Sequence, residues 1–164
     1  MTAEQVASDE AALDLPAPPR PQIDVDSAGY WAAAERGEFA LCRCAECRRW
    51  LHPPLERCRY CGGTTAFEEA SGRGLVYSFI VVRHPSIPAF GPLLPYVIVL
   101  VDLDEGVRLT GRLLGDPGAV RVGLPVVVRM ERLPGADRPG VVFAMGEPGG
   151  RQAPGSSVAA GDPG

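Results

Sequence analysis

The chain contains no lysine; all 16 of its basic residues are arginine. That removes a Schiff-base lysine and the lysine of a phosphate-binding P-loop from the chemistry open to it. Histidine is scarce, with only His52 and His84, and no GxSxG, HExxH or GxGxxG pattern occurs. The common hydrolase, metalloprotease and dinucleotide signatures are therefore missing. No apolar run approaches the roughly 20 residues of a membrane helix; the longest surrounds Tyr96–Val101. The N-terminus is acidic, with no basic n-region and no apolar h-region, so no secretory signal is read and a cytoplasmic location is expected. Cysteine is absent outside residues 42–61, where all five lie.

The formal charge of −4 is uneven. Residues 1–37 carry two Arg against seven acids, residues 38–70 five against five, and residues 71–147 eight against seven. The acidity sits at the front, and the remainder offers no strong field for nucleic acid or for an acidic partner.

Residues 1–26 are rich in Ala, Pro and acids, with LPAPPRPQ at 15–22, and read as a disordered or extended leader. Residues 147–164 read as a flexible tail. DSAGYWAAAERGEF (26–39) predicts a short helix over 27–37, capped by Asp26 or Ser27 and ended by Gly37. Tyr30, Trp31 and Ala34 would share one face, packed on the chain's own core or docked on a partner. A helix this short is not stable alone in water.

From residue 75 the pattern turns to strands: 75–82, 96–103, 107–114, 125–132 and 140–146. The DEG turn at 104–106 joins the second and third, and Gly/Pro-rich breaks separate the rest. Five short strands with glycine-rich corners suggest a small closed sheet, most economically a five-stranded OB-type barrel. In 107–114, Val107, Leu109 and Leu113 alternate with Arg108, Thr110 and Arg112, as in a half-exposed strand. Strands 75–82 and 96–103 are apolar on both faces, so each needs a second cover from the cysteine module, the helix or another protein. Tyr77 and Phe79 alternate as a buried face would. The loop RHPSIPAFGPLLP (83–95) is either a Pro-rich connector or, around His84 and Phe90, a partner-facing or substrate-channel loop.

The cysteines form two CxxC pairs, Cys44/Cys47 and Cys58/Cys61, ten residues apart, with Gly62 and Gly63 after the second. Two facing turns of this kind build a closed tetrahedral four-sulfur site. Zinc is the default occupant and iron is possible. A redox pair would call for one CxxC opening a helix after a strand, and reduced thiols disfavour disulfides. Cys42 reads as a small apolar strand residue, with use as an alternative ligand the lesser option. Arg43, Arg48, Arg49, Arg57 and Arg59 crowd the module; guanidinium and backbone N–H groups would offset the charge of four thiolates. His52 reads as a packed or surface residue.

These parts, taken in order, resemble the zinc-ribbon/OB-fold family listed as domain of unknown function 35. The segments carrying the likeness are the two CxxC pairs in 43–63, SGRGLVYSFIVVRHP (71–85), PYVIVLVDLDEGVRLTGRLLG (95–115) and VRVGLPVVVRME (120–131). The resemblance covers about residues 28–146. It implies a mainly β protein: an N-terminal helix, a rubredoxin-like zinc ribbon over 38–70 and an OB barrel over 71–146. It also implies a structural Zn2+ on Cys44, Cys47, Cys58 and Cys61; many relatives place proline where Arg59 stands. Members of this family work beside thiolase-superfamily partners: thiolases, acyltransferases or steroid side-chain aldolases. Some of these assemblies also hold a hot-dog-fold hydratase. The expected role is a non-catalytic subunit in a hetero-oligomer, with acyl-CoA bound mainly by the partner. Tyr30, Trp31, His84 and Phe90 are the expected partner or substrate-entrance residues. The alternatives are a nucleic-acid-binding zinc-ribbon/OB module and an enzyme acting alone. No nucleophile–base pair is readable for the latter.

Overall fold

The computed structural model describes residues 16–146. Residues 1–15 of the expected leader, and the expected tail over 147–164, lie outside the described residues. Helix α1 spans Ala28–Glu35, shorter than the predicted 27–37. Gly37, at φ +77°, ends it, with the N–H groups of Gly37 and Glu38 donating to Ala34 and Ala33. Neither expected cap acts as one. The Ser27 hydroxyl donates to Asp24 Oδ1 at 2.5 Å, and Asp26 instead accepts the Glu56 N–H at 2.8 Å. The first turn is thus closed by an upstream Asp24–Ser27 exchange, while Asp26 ties the helix entry to the cysteine module.

Three short antiparallel strands follow: β1 (Ala40–Cys44), β2 (Trp50–Leu51) and β3 (Thr65–Glu69), in the order β2-β1-β3. Helix α1 lies on this sheet through its small residues. Ala33 and Ala34 are buried, and Gly29 sits so close to the Phe67 ring that a Cβ there would overlap it.

The remaining strands are β4 (Arg73–Val82), β5 (Tyr96–Leu103), β6 (Arg108–Leu113), β7 (Pro125–Glu131) and β8 (Gly140–Met145). They close a barrel in the order β4-β5-β6-β8-β7, with β6 and β8 parallel and β4 pairing with β7. This is the expected five-stranded closure, and each predicted strand is found within two residues of its place. The core holds Val97, Val99, Val101 and Leu103 from β5, Leu109 and Leu113 from β6, and Phe143. Full burial of a ring such as Phe143 stabilises by roughly 1.5–3 kcal/mol.

A further expectation is overturned. Tyr77 is not on the buried face with Phe79; it is 51% exposed. The pairing of β4 with β5 shifts register between Val76 and Ser78. This bulge leaves Tyr77 outside the ladder, so Val76 faces inward before it and Phe79 and Val81 pack on the core after it.

Gly72 joins the two halves. Its carbonyl accepts the Val128 N–H at 2.8 Å, and its φ is +65°. A Cβ there would lie 2.8 Å from Val128 Cβ and 3.3 Å from the Phe39 ring. Gly72→Ala is expected to lower the unfolding free energy by about 2–4 kcal/mol in urea titration, from backbone strain and overpacking together. Gly91→Ala, where a Cβ would meet nothing within 4 Å, should change it by less than about 0.5 kcal/mol. Equal effects at the two positions would remove Gly72 from this role.

Candidate metal centre and aromatic groove

Two short loops are built alike. In the first, the Cys44 N–H donates to the Arg49 carbonyl at 2.9 Å; in the second, the Cys58 N–H donates to that of Gly63 at 2.8 Å. A further N–H points at the leading sulfur in each, from Cys47 to Cys44 Sγ and from Tyr60 to Cys58 Sγ, both at 3.4 Å. Four residues after the leading cysteine, each loop takes a left-handed residue, Arg48 at φ 60° and Gly62 at φ +76°. The second loop uses the residue type this conformation favours. The first uses an arginine whose guanidinium is held by Glu68 at 2.7 and 3.0 Å. The loops are joined by the Ala45 N–H on the Thr64 carbonyl and by the Thr64 N–H on Glu46.

This arrangement brings Cys44, Cys47, Cys58 and Cys61 together, every sulfur within 4.8 Å of the others. Cys44 Sγ is 3.5 Å from Cys61 Sγ and Cys47 Sγ is 3.6 Å from Cys58 Sγ. These separations are far beyond the ~2.05 Å of a disulfide. They approach the edge of about 3.8 Å in a tetrahedron with metal–sulfur bonds of ~2.3 Å. The donor set therefore fits a soft divalent cation, and the four cysteines are positioned to hold one metal ion. Cys44 and Cys58 are buried, while Cys47 and Cys61 face outward.

Burial pushes the Cys44 thiol up, but the N–H groups of Cys47 and Glu46 and the neighbouring cysteines outweigh it, drawing it down to about 7. The Gly63 N–H favours a thiolate at Cys61, yet its bond with Cys44, its burial and the other sulfurs push it up to about 12. Backbone N–H groups thus favour a thiolate at Cys44, the neighbouring sulfurs disfavour one at Cys61, and a cation between the sulfurs would relieve that repulsion.

Cys42 is buried in β1 and its thiol lies 3.6 Å from the Leu55 carbonyl, outside the four-sulfur group. His52 is half-buried; burial and the Arg59 charge lower its pKa. Four of the five arginines expected to offset the thiolates have other partners: Arg43 and Arg48 pair with Glu68, Arg49 lies over the Tyr60 ring, and Arg59 donates to the Pro53 carbonyl. The contacts to sulfur come from backbone N–H groups.

A second feature lies on the barrel's outer face. Trp31 and Phe90 line one groove of roughly 480 Å3 with Leu93, Tyr96 and Ile98. Phe90 meets Tyr96 edge-on at 6.5 Å. Tyr30 contacts Trp31 edge-on at 4.9 Å but turns into a neighbouring cavity with His52, Phe67 and Thr110. Burial raises the Tyr30 phenol's pKa, partly offset by a hydrogen bond with the Val141 backbone. His84 sits in an exposed turn and does not line this groove. Sequence reasoning missed Tyr96 and Ile98 as site residues, although the apolar outer face of β5 marked them. It also missed Arg112 and Glu131, which pair at 2.9 Å in the groove wall and carry no local signature.

Comparison with known proteins agrees with this architecture. Residues 31–68 match the family model described as "ChsH2, rubredoxin-like zinc ribbon domain", and residues 67–131 match "ChsH2, C-terminal OB-fold domain". A solved chain of the "Ltp2-ChsH2(DUF35) aldolase" is 40% identical with a TM-score of 0.69, covering 77% of this chain and 98% of that one. A "probable enoyl-CoA hydratase alpha subunit" of Thermomonospora curvata is 44% identical over 115 residues. That match takes in 67% of this chain but only 34% of the hydratase subunit, so the chain spans about a third of that relative's length. A "DUF35 domain-containing scaffold protein" of Methanothermobacter thermautotrophicus is 31% identical, over 58% of this chain and 74% of that protein. With a helix, a four-cysteine ribbon and an OB barrel in this order, the chain belongs to the DUF35 family of zinc-ribbon/OB-fold proteins.

Proposed function

We propose that this chain is a non-catalytic scaffold subunit of an acyl-CoA-processing complex, with one structural zinc in its ribbon. Its partner is a thiolase-superfamily enzyme of thiolase, acyltransferase or steroid side-chain aldolase type. The observation that carries the reading is the 40% identity to the ChsH2 chain of an aldolase, across 98% of that chain. The scaffold naming of a relative 74% covered by the match supports it, and the hydratase-subunit name of a relative matched over about a third of its length supports a hydratase as a second kind of partner. Among the described residues, no helix is long and apolar enough to cross a membrane.

Within the complex, this chain's residues bind and position. The four cysteines hold the zinc, which supplies no reaction step in a closed four-sulfur site; its role is to fix the two loops. The ribbon in turn holds α1, which presents Trp31 beside Phe90 and Tyr96. These rings are suited to anchor an interface, where aromatic residues carry much of the binding energy. The loop around His84 and Phe90 would lie nearest the partner's substrate entrance.

Purified chain is expected to contain close to one zinc per molecule by elemental analysis. Cys58→Ser should lose metal and folded structure together, because metal binding and folding are linked in such a module. A folded, metal-free natural chain would remove the zinc from the reading.

Co-expression with a thiolase-superfamily partner should yield a stable hetero-oligomer, while the pure chain alone shows no thiolysis, aldol cleavage or acyl transfer. Phe90→Asp should weaken the complex at least about tenfold without reducing zinc content, as expected when an interface anchor of 1.4 kcal/mol or more is lost (roughly). Turnover by the isolated chain, persisting through further purification, would reject the scaffold role. Unchanged affinity and acyl-CoA kinetics in Phe90→Asp would move the interface elsewhere.

A further inference from the structure

The outer face of β5 is already covered in part, and the cover comes from the chain's own N-terminal region. Residues 16–21 read PAPPRP, four prolines in six positions. They form neither helix nor strand, yet they are not detached from the barrel. Pro18, Pro19, Arg20 and Pro21 line the same groove as Trp31, Phe90 and Ile98. Pro16 and Pro18 flank an adjoining cavity with Leu93 and Pro134. On the β7–β8 loop, a Cβ on Gly135 would lie 3.5 Å from Pro18 Cδ and 3.6 Å from Ala17 Cα, ordinary packing distances.

We infer that residues 16–21 are an intramolecular ligand of the aromatic groove, a polyproline II strap that closes the outer face of β5 in the free chain. The chemistry of both surfaces supports this. Proline fixes φ near −65° and drives the residue before it towards the polyproline II region, so the segment loses little entropy on docking. With three residues per turn, Pro18 and Pro21 share one edge of such a helix and Pro16 and Pro19 the next. Its backbone makes no internal hydrogen bonds and stays solvated, which suits a segment lying on a surface rather than in a sheet. Grooves walled by aromatic rings are the usual receptors for segments of this kind. The strap leads through Ile23–Ser27 straight into α1, so the helix that supplies Trp31 also sets where the prolines fall.

The inference rests on contacts within the chain and stands whether or not the scaffold reading does. If a partner docks through Trp31 and Phe90, the strap has to leave the groove first.

Two measurements test it. In the unaltered full chain, proline side-chain protons of Pro18 and Pro21 should show ring-current shifts absent from a free peptide of residues 15–22. Peptide-like values for both would overturn the strap. In the second, residues 16–21 of the full chain are replaced by Gly and Ser, and a fluorescein-labelled 15–22 peptide is titrated in. A trans dissociation constant on the order of 100 µM, set against an effective cis concentration on the order of 1 mM, implies about tenfold tighter binding to the replaced chain than to the natural one. Ile98→Asp in the replaced chain should abolish that binding with zinc content retained. Equal binding to both chains, or binding to neither, would overturn the proposal.

Discussion

The fold depends on β1 being buried on both of its faces. On one face Leu41, with Phe39 just before the strand, belongs to the barrel's core cluster. On the other, Cys42 and Cys44 form a second small core with Leu51 and Cys58. Alternate side chains of a strand point to opposite sides, so five residues serve two cores at once, and a slip of one position would exchange them. A ribbon of this size cannot bury enough apolar surface to stand alone. Here it has the barrel behind it and the four-sulfur centre within it. The same strand carries one metal-ligating position, Cys44, three residues from Leu41, so order at the metal centre is transmitted into the barrel wall through a rigid element.

The two halves of the cysteine module solve the same steric problem differently. Each loop must turn sharply enough to aim backbone N–H groups at its sulfurs, and each does so with a left-handed residue four positions after its first cysteine. Gly62 adopts this conformation freely. Arg48 does so at a cost of about 1–3 kcal/mol, offset in part by its fork on Glu68. Two arginines on that carboxylate, Arg48 first and Arg43 second, hold it well below the usual range. Glu68 lies on β3, so the strained turn of the first loop is pinned to the far strand of its own sheet.

The strand positions and the cysteine cluster are legible in the sequence because each rests on a local regularity: alternation within a strand, or paired cysteines at fixed spacing. What was not legible depends on register or on distant pairing. β4 is apolar on both sides, so no alternation marks where its bulge falls, and Tyr77 was assigned to the wrong face. Asp26 looks like a helix cap, but its partner is Glu56, 30 residues away. Glu35, at the end of α1, takes Arg138 at 2.9 Å and Arg132 at 3.4 Å from the β7–β8 region, about a hundred residues on. The proline-rich stretch showed that it would form no helix, but composition carries no information about which surface such a segment rests on.

The absence of lysine acquires a physical sense from what the arginines do. Arg43 lies over the Trp50 ring at 4.5 Å, Arg49 over Tyr60 at 4.7 Å and Arg108 over Tyr77 at 3.4 Å. A planar guanidinium can stack on a ring and still fork onto a carboxylate, which a lysine ammonium cannot do. Arg108 does both, its Nε and second nitrogen reaching Asp102 at 2.6 and 3.1 Å, while Arg43 stacks and divides its donors between Glu68 and the Arg48 carbonyl. This bears on the nucleic-acid alternative. A single-strand binder needs open aromatic faces and cations directed at phosphate. The two most exposed tyrosines, Tyr60 and Tyr77, each have one ring face under an arginine. Arg43, Arg48, Arg49 and Arg59 of the cysteine module, and Arg108 on the barrel, are turned towards acids, carbonyls and rings of their own chain. The aromatic groove, by contrast, has largely apolar walls, and of the arginines that line it Arg112 is paired with Glu131 and Arg138 with Glu35. Such a surface suits an apolar or proline-rich occupant better than a polyanion.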